Sequence, residues 1–215
     1  MTAVIFDLDN CLTPAEEVGE ELFAPAFAAI RAANDGSLTT SALTAAFDDM
    51  RRHAYDWVAR THAFTSAMLA AGWQALSQVE VTGPMHGYPD LGLLNDVPAE
   101  RFLVTSGFRR IQESKVRALG VGPLFTEVRI DAIDAPSRQG KLGLFLEIIG
   151  AHHLSTREVV VVGDNAESEL AAGKALGLRA VQLLRSGVVT NRFATAHVHD
   201  LRGLISMLRS NARLA

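Results

Sequence analysis

Three short apolar runs in this chain each end abruptly in acidic or hydroxyl side chains, and this repetition limits the fold more than any other feature. Ala3-Val4-Ile5-Phe6 runs into Asp7-Leu8-Asp9-Asn10, Phe102-Leu103-Val104 into Thr105-Ser106-Gly107, and Val159-Val160-Val161-Val162 into Gly163-Asp164. Runs without polar alternation suit strands covered on both faces, as in a parallel sheet. Two more strands are expected, from Leu124 to Ile130 and from Ala180 to Leu184. Helical patterns lie between them: one near Leu91, one from Arg109 to Leu119 stopped by Gly120, one from Lys141 to Ile149 stopped by Gly150, and one ending at Gly177. Strands alternating with helices predict an α/β fold, a doubly wound parallel five-stranded sheet.

Residues 14–86 break this rhythm. Alanines and charged residues dominate there, and Leu22, Phe23, Phe27 and Ile30 fall at helical spacing. Asn34-Asp35-Gly36-Ser37 marks a turn, Thr39 or Thr40 can cap the next helix, and Phe64, Met68 and Leu69 mark a third. The expected organisation is a core of residues 1–13 and 87–215 carrying an inserted α-helical block, residues 14–86. A chain of 215 residues with 48% hydrophobic content can bury one such core and a small added module.

Charge and cysteine usage narrow the function. A net charge of -4 offers no basic surplus for a phosphate backbone, so no nucleic-acid partner is expected. Cys11 is the single cysteine, which excludes an intramolecular disulfide or a thiolate metal cluster and fits a reducing cytoplasm. No apolar stretch approaches the ~20 residues that span a bilayer, and no basic leader precedes Ala3. A cytoplasmic protein with no membrane association is expected.

Open parallel sheets bind ligands at the carboxyl ends of their strands, so the polar tips are the places to look for chemistry. Asp7 and Asp9 stand two residues apart at one tip, where two carboxylates repel each other and are costly to desolvate without a cation. Magnesium, which accepts a few carboxylates and keeps water and phosphate oxygens, suits such a pair. The bland alternative is a solvated turn.

Phe6-Asp7-Leu8-Asp9-Asn10-Cys11-Leu12, Val104-Thr105-Ser106-Gly107, Lys141, and Val161-Val162-Gly163-Asp164-Asn165 with Glu169 occur in an order that resembles the four motifs of the haloacid dehalogenase superfamily. The resemblance covers nearly the whole chain and points to the phosphatase branch, with a helical cap between motifs one and two. It implies Mg2+-dependent hydrolysis of a small phosphorylated metabolite. Asp7 would be the nucleophile that becomes an aspartyl-phosphate, and Asp9 the proton donor and acceptor. Thr105, Ser106 and Lys141 would bind the phosphoryl oxygens. The carboxylates of Asp7 and Asp164 and the backbone carbonyl of Asp9 would hold the metal.

Cys11 and Asn10 depart from the usual Thr and Gly of the first motif, which affects the turn more than the chemistry and leaves a thiol near the site. Glu169 replaces a usual Asp, so it either reaches the metal through water or braces Lys141, and Lys141 lacks the common Pro-Asp-Pro sequel. A phosphomutase would keep the same core residues. A haloacid dehalogenase would not need Asp9, and a phosphonate-cleaving relative would need a cap lysine, whereas Lys115, Lys141 and Lys174 all fall in the core. A non-catalytic phosphometabolite-binding protein is the alternative from another class.

Within the helical block, Arg51, Arg52, His53, Tyr55 and Trp57 form the densest group of recognition side chains, with Arg52 and Trp57 as candidate substrate contacts. Arg109, just after motif two, is a third candidate. His62, His86, His152 and His153 show no metal-ligand spacing.

Overall fold

The computed structural model describes residues 3–50 and 53–211. Strand β1 (Ala3–Phe6) is followed by four helices, α1 (Ala24–Ala33), α2 (Thr40–Asp49), α3 (Tyr55–Thr61) and α4 (Ser66–Leu76). The chain then alternates: β2 (Glu100–Gly107), α5 (Arg109–Leu119), β3 (Glu127–Ala132), α6 (Gly140–Ala151), β4 (Val159–Gly163), α7 (Glu169–Ala175) and β5 (Arg179–Leu183). A sixth strand, β6 (Ala196–Val198), and helix α8 (Leu201–Asn211) complete it. No helix among the described residues is long and apolar enough to cross a membrane.

All strands pair in parallel in the order β3-β2-β1-β4-β5-β6. Val4, Phe6, Leu103, Val160 and Val162 face one apolar layer, shared with Val116 of α5 and Leu201, Leu204, Ile205 and Leu208 of α8. Ala3, Ile5, Phe102, Val104, Val159 and Val161 face the other, with Leu144, Phe145 and Ile148 of α6 and Ala172 of α7. Burial of alternate residues on both faces explains the unbroken apolar runs. The connections leave β1 in opposite directions, toward β2 and toward β4, which makes the β1/β4 tips the topological switch point.

The helical insertion packs its own core, including Ile30, Phe47, Tyr55 and Met68, onto Phe108, Ile111 and Ile133 beside the strand tips. Gly72 is required there: a Cβ would stand 2.0 Å from the Tyr55 hydroxyl, which donates toward the carbonyls of Met68 and Leu69 at 3.0 and 3.1 Å. Thr39, rather than Thr40, caps α2, its hydroxyl accepting from the Ala42 amide at 3.2 Å.

Several expectations are corrected. Among the described residues the sheet has six strands, not five, because β6 is a three-residue edge strand with an exposed His197 at its centre and so carries no apolar run. The described part of the insertion holds four α-helices, since the seven-residue α3 is too short to register as a period. Strand β3 begins at Glu127 rather than Leu124, residues Gly122–Leu124 forming a 3-10 turn, and it extends to Asp131 and Ala132. Gly150 does not stop α6, which ends after Ala151 with His153 in the left-handed region at φ 53°.

Candidate active site

The tips of β1, β2 and β4 open into a cavity of about 700 Å³ roofed by the helical insertion. Asp7, Asp9, Thr105, Ser106, Lys141 and Asp164 all line it, as does Trp57. These residues come from positions far apart in sequence, brought together because each terminates a strand or opens a helix at the same edge of the sheet.

Asp7 continues the β1 pairing, its amide donating to the Val162 carbonyl at 2.9 Å, and is 7% exposed. The chain then turns tightly: the amides of Leu12 and Thr13 both donate to the Leu8 carbonyl, and Asn10 adopts φ 54°, a left-handed conformation that asparagine tolerates. Arg185 braces this turn from β5's far end, donating to the Cys11 carbonyl through Nε and Nη2 at 3.1 and 3.0 Å while pairing with Asp90. Cys11 is fully buried. Burial, with the nearby Asp7 charge, pushes its thiol well above the ordinary range, so the thiol near the site is held protonated.

Lys141, at the first turn of α6, sits between two carboxylates, its Nζ 2.8 Å from both Asp7 Oδ1 and Glu169 Oε2. Glu169 is 1% exposed and also accepts from the Asn165 amide. Gly163 makes room for the Glu169 carboxylate beside Lys141, since a Cβ there would stand 2.3 Å from Glu169 Oε1.

Asp7, Asp164 and Glu169 each offer a carboxylate oxygen, all within 4.8 Å of one another. Desolvation raises the Asp7 carboxyl to about 7, with Lys141 opposing and Glu169 adding to the rise. Desolvation likewise raises Asp164 to about 8, followed by the charges of Glu169 and Asp7. Burial disfavours the Lys141 charge, but Asp7 and Glu169 override it and hold the ammonium above its usual value. Three acidic groups share one cation. The donor set is all hard oxygen, and its surplus of buried negative charge fits a divalent ion such as magnesium.

Asp9 is held by a different helix. Lys115 Nζ lies 2.7 Å from its Oδ1 and Gln112 Nε2 3.1 Å from its Oδ2, both donors carried by α5. Ser106 turns its hydroxyl to Asp131 Oδ2 at 2.9 Å, whereas Thr105 beside it is buried at the cavity wall. Asp131 also receives two hydrogen bonds from Arg138, which reaches on to Asp56 in the insertion. Burial alone would raise the Asp131 carboxyl, but Arg138 and Ser106 hold it below the ordinary value.

Arg109 does not join the site: its guanidinium pairs with Glu113 at 3.7 Å and lines a separate surface cleft. Arg51 and Arg52 lie outside the described residues. The sequence reading missed Gln112, Lys115, Asp131 and Arg138. Only the i, i+3 spacing of Gln112 and Lys115 on an amphipathic helix hinted that they share a face.

The sequence profile described as haloacid dehalogenase-like hydrolase matches residues 1–177. The chain belongs to this family of hydrolases. No curated protein matches it in sequence. Among solved structures, it is similar to a HAD phosphatase from Thermococcus onnurineus (TM-score 0.63, 22% identity, 97% of this chain and 98% of that one covered). It is also similar to the Bacillus subtilis protein YfnB, assigned as a HAD-hydrolase and bound to magnesium (TM-score 0.63, 14% identity, covering 96% and 98%). L-2-haloacid dehalogenase from Xanthobacter autotrophicus shares the fold as well (TM-score 0.59, 17% identity, covering 97% and 98%).

Proposed function

We propose that this hydrolase is a Mg2+-dependent phosphatase acting on a small phosphomonoester through an aspartyl-phosphate on Asp7. The observation that carries the reading is the buried cluster of Asp7, Asp164 and Glu169 beside Lys141, with a further carboxylate, Asp9, lining the same cavity. Asp7 attacks phosphorus, and the bond to the leaving oxygen breaks. Asp9 gives that oxygen its proton, then removes one from the water that hydrolyses the acyl-phosphate. Lys141 and Thr105 hydrogen-bond the non-bridging oxygens, where charge spreads in the transition state. The carboxylates of Asp7 and Asp164 and the carbonyl of Asp9 would hold magnesium, which would supply neutralising charge for the phosphoryl group.

Asp9 favours this chemistry over carbon–halogen displacement, because a halide leaves without a proton whereas an alkoxide does not. Residues 14–86 act as a cap in this reading, excluding water and contacting the leaving group through Trp57. The test combines p-nitrophenyl phosphate hydrolysis, chelation, and mass spectrometry of acid-quenched enzyme. Turnover should vanish with chelator, return with magnesium, and leave phosphate on the Asp7 peptide. Full activity in metal-free protein, or phosphate on Asp9 with Asp7 unmodified, would overturn it.

A further inference from the structure

Helix α5 carries two inward polar residues whose positions make no sense as ordinary core packing. Lys115 is 5% exposed and Gln112 4% exposed, and both point at the single carboxylate of Asp9. An ammonium buried to this degree is unfavourable unless paired, and a buried ion pair adds little stability over an apolar side chain of the same volume. The location of the pair therefore needs an explanation other than stability.

The Gln112 amide is oriented by two acceptors, Asp9 Oδ2 and the Ser106 carbonyl 2.8 Å away, so a flipped amide would set oxygen against oxygen. Its own Oε1 is left buried with no partner among the described residues, a sacrifice that fixes the donor side. Gly107 gives the amide its space, since a Cβ at that position would stand 2.7 Å from Gln112 Nε2. Together the two donors take one lone pair from each Asp9 oxygen. Among the described residues no other hydrogen bond reaches these oxygens, and the Asp9 side chain, 24% exposed, lines the cavity.

We infer that Gln112 and Lys115 are positioning residues: they clamp the Asp9 carboxylate in one orientation so that the same side faces the leaving oxygen and then the hydrolytic water. The inference rests on the proposed proton-shuttling role of Asp9. Neither residue needs to touch substrate. Asp7, by contrast, is fixed by Lys141 and by its own strand.

The test uses kcat/KM, which covers the steps through departure of the leaving group, for an alkyl phosphate and for p-nitrophenyl phosphate. A loosened acid should be felt where the leaving group needs protonation. Lys115→Met should lower kcat/KM for the alkyl ester by roughly 10- to 100-fold and for the nitrophenyl ester by less than about 3-fold, the scale of a misplaced catalytic group. Lys115→Arg, which keeps a donor, should recover most of the alkyl-ester rate. In an Asp9→Asn background, Lys115→Met should cost nothing further, because residues that act as a unit are not additive. Equal losses on both esters, or an undiminished loss in the Asp9→Asn background, would overturn the clamp while leaving the phosphatase reading intact. Wild-type protein inactive on every phosphomonoester would overturn both. Thermal melts of each variant separate misfolding from repositioning, and Gln112→Leu, which removes no charge, should show the same ester dependence in a milder form.

Discussion

On the floor of the cavity, Asp7, Asp9 and Glu169 each lie within 2.8 Å of a lysine ammonium, and every one of these contacts joins different elements of the sheet and its helices. The roof is built otherwise. Phe23, Met50, Tyr55 and Trp57 present rings and a thioether, with His53 stacked on Trp57 at a centroid distance of 3.9 Å. A charge network tolerates no displacement, because each buried group left unpaired is costly. An apolar wall tolerates exchange of one shape for another. In the proposed phosphatase, this contrast would let the floor fix the chemistry while selectivity drifts with the roof.

The largest effects should therefore come from the floor, and they should differ between its two aspartates. Asp7→Asn should remove turnover to the limit of detection along with any phosphoenzyme. Asp9→Asn should lower turnover by roughly 10²–10⁴-fold, the usual worth of general acid–base catalysis, while retaining magnesium binding measured by calorimetry. Equal loss of metal binding in both variants would break the asymmetry between them.

The roof should give a smaller and selective effect. Trp57→Ala should change the ratio of kcat/KM values between a bulky and a compact phosphomonoester by about 10-fold, the scale of removing one apolar contact from a pocket. A uniform fall on all substrates in a folded variant would place Trp57 with the chemistry instead.

The smallest effect concerns the link between the two regions. Arg138 joins Asp131 of β3 to Asp56 of α3. The Asp131 carboxyl is held below its ordinary value, so its contribution to stability is present above the unfolded pKa of about 4 and is lost as pH falls through the folded value. Urea unfolding at pH 5 and pH 3 should show wild type losing about 1 kcal/mol more than Arg138→Gln over that interval. Identical losses would mean that the bridge contributes nothing to holding roof and floor together.

The strand tips were legible because the residues that surround them obey one rule: Ala3–Phe6, Phe102–Val104 and Val159–Val162 are apolar on both faces, and the first polar residue after each marks the edge of the sheet. Asp7, Thr105 and Asp164 followed from that. Lys141 and Glu169 came only through resemblance, since a lysine opening a helix ordinarily points to solvent. Lys115 and Gln112 stayed hidden for the same reason. Nothing local distinguishes an inward lysine from an outward one until Asp9, more than a hundred residues earlier in the chain, supplies the partner. Asp131 was invisible because a buried acid inside a strand becomes tolerable only with Arg138 and Ser106 beside it. Helix α8 did carry a readable pattern, Leu201, Leu204, Ile205 and Leu208 at helical spacing, which the strand-centred reading passed over.

The central place of β1 has a consequence for how the enzyme is made. Ala3 pairs with Glu100 on one side and Val159 on the other, and the turn carrying Asp9 is clasped by Arg185. On a ribosome, the segment bearing Asp7 emerges long before either neighbour, and its apolar residues wait uncovered while the helical block can already form. Closure of the sheet around Ala3–Phe6 is then the late, non-local event of folding. A nascent chain cannot complete the cavity before β4 and Arg185 have been released, so a product of interrupted synthesis is left with a bare central strand.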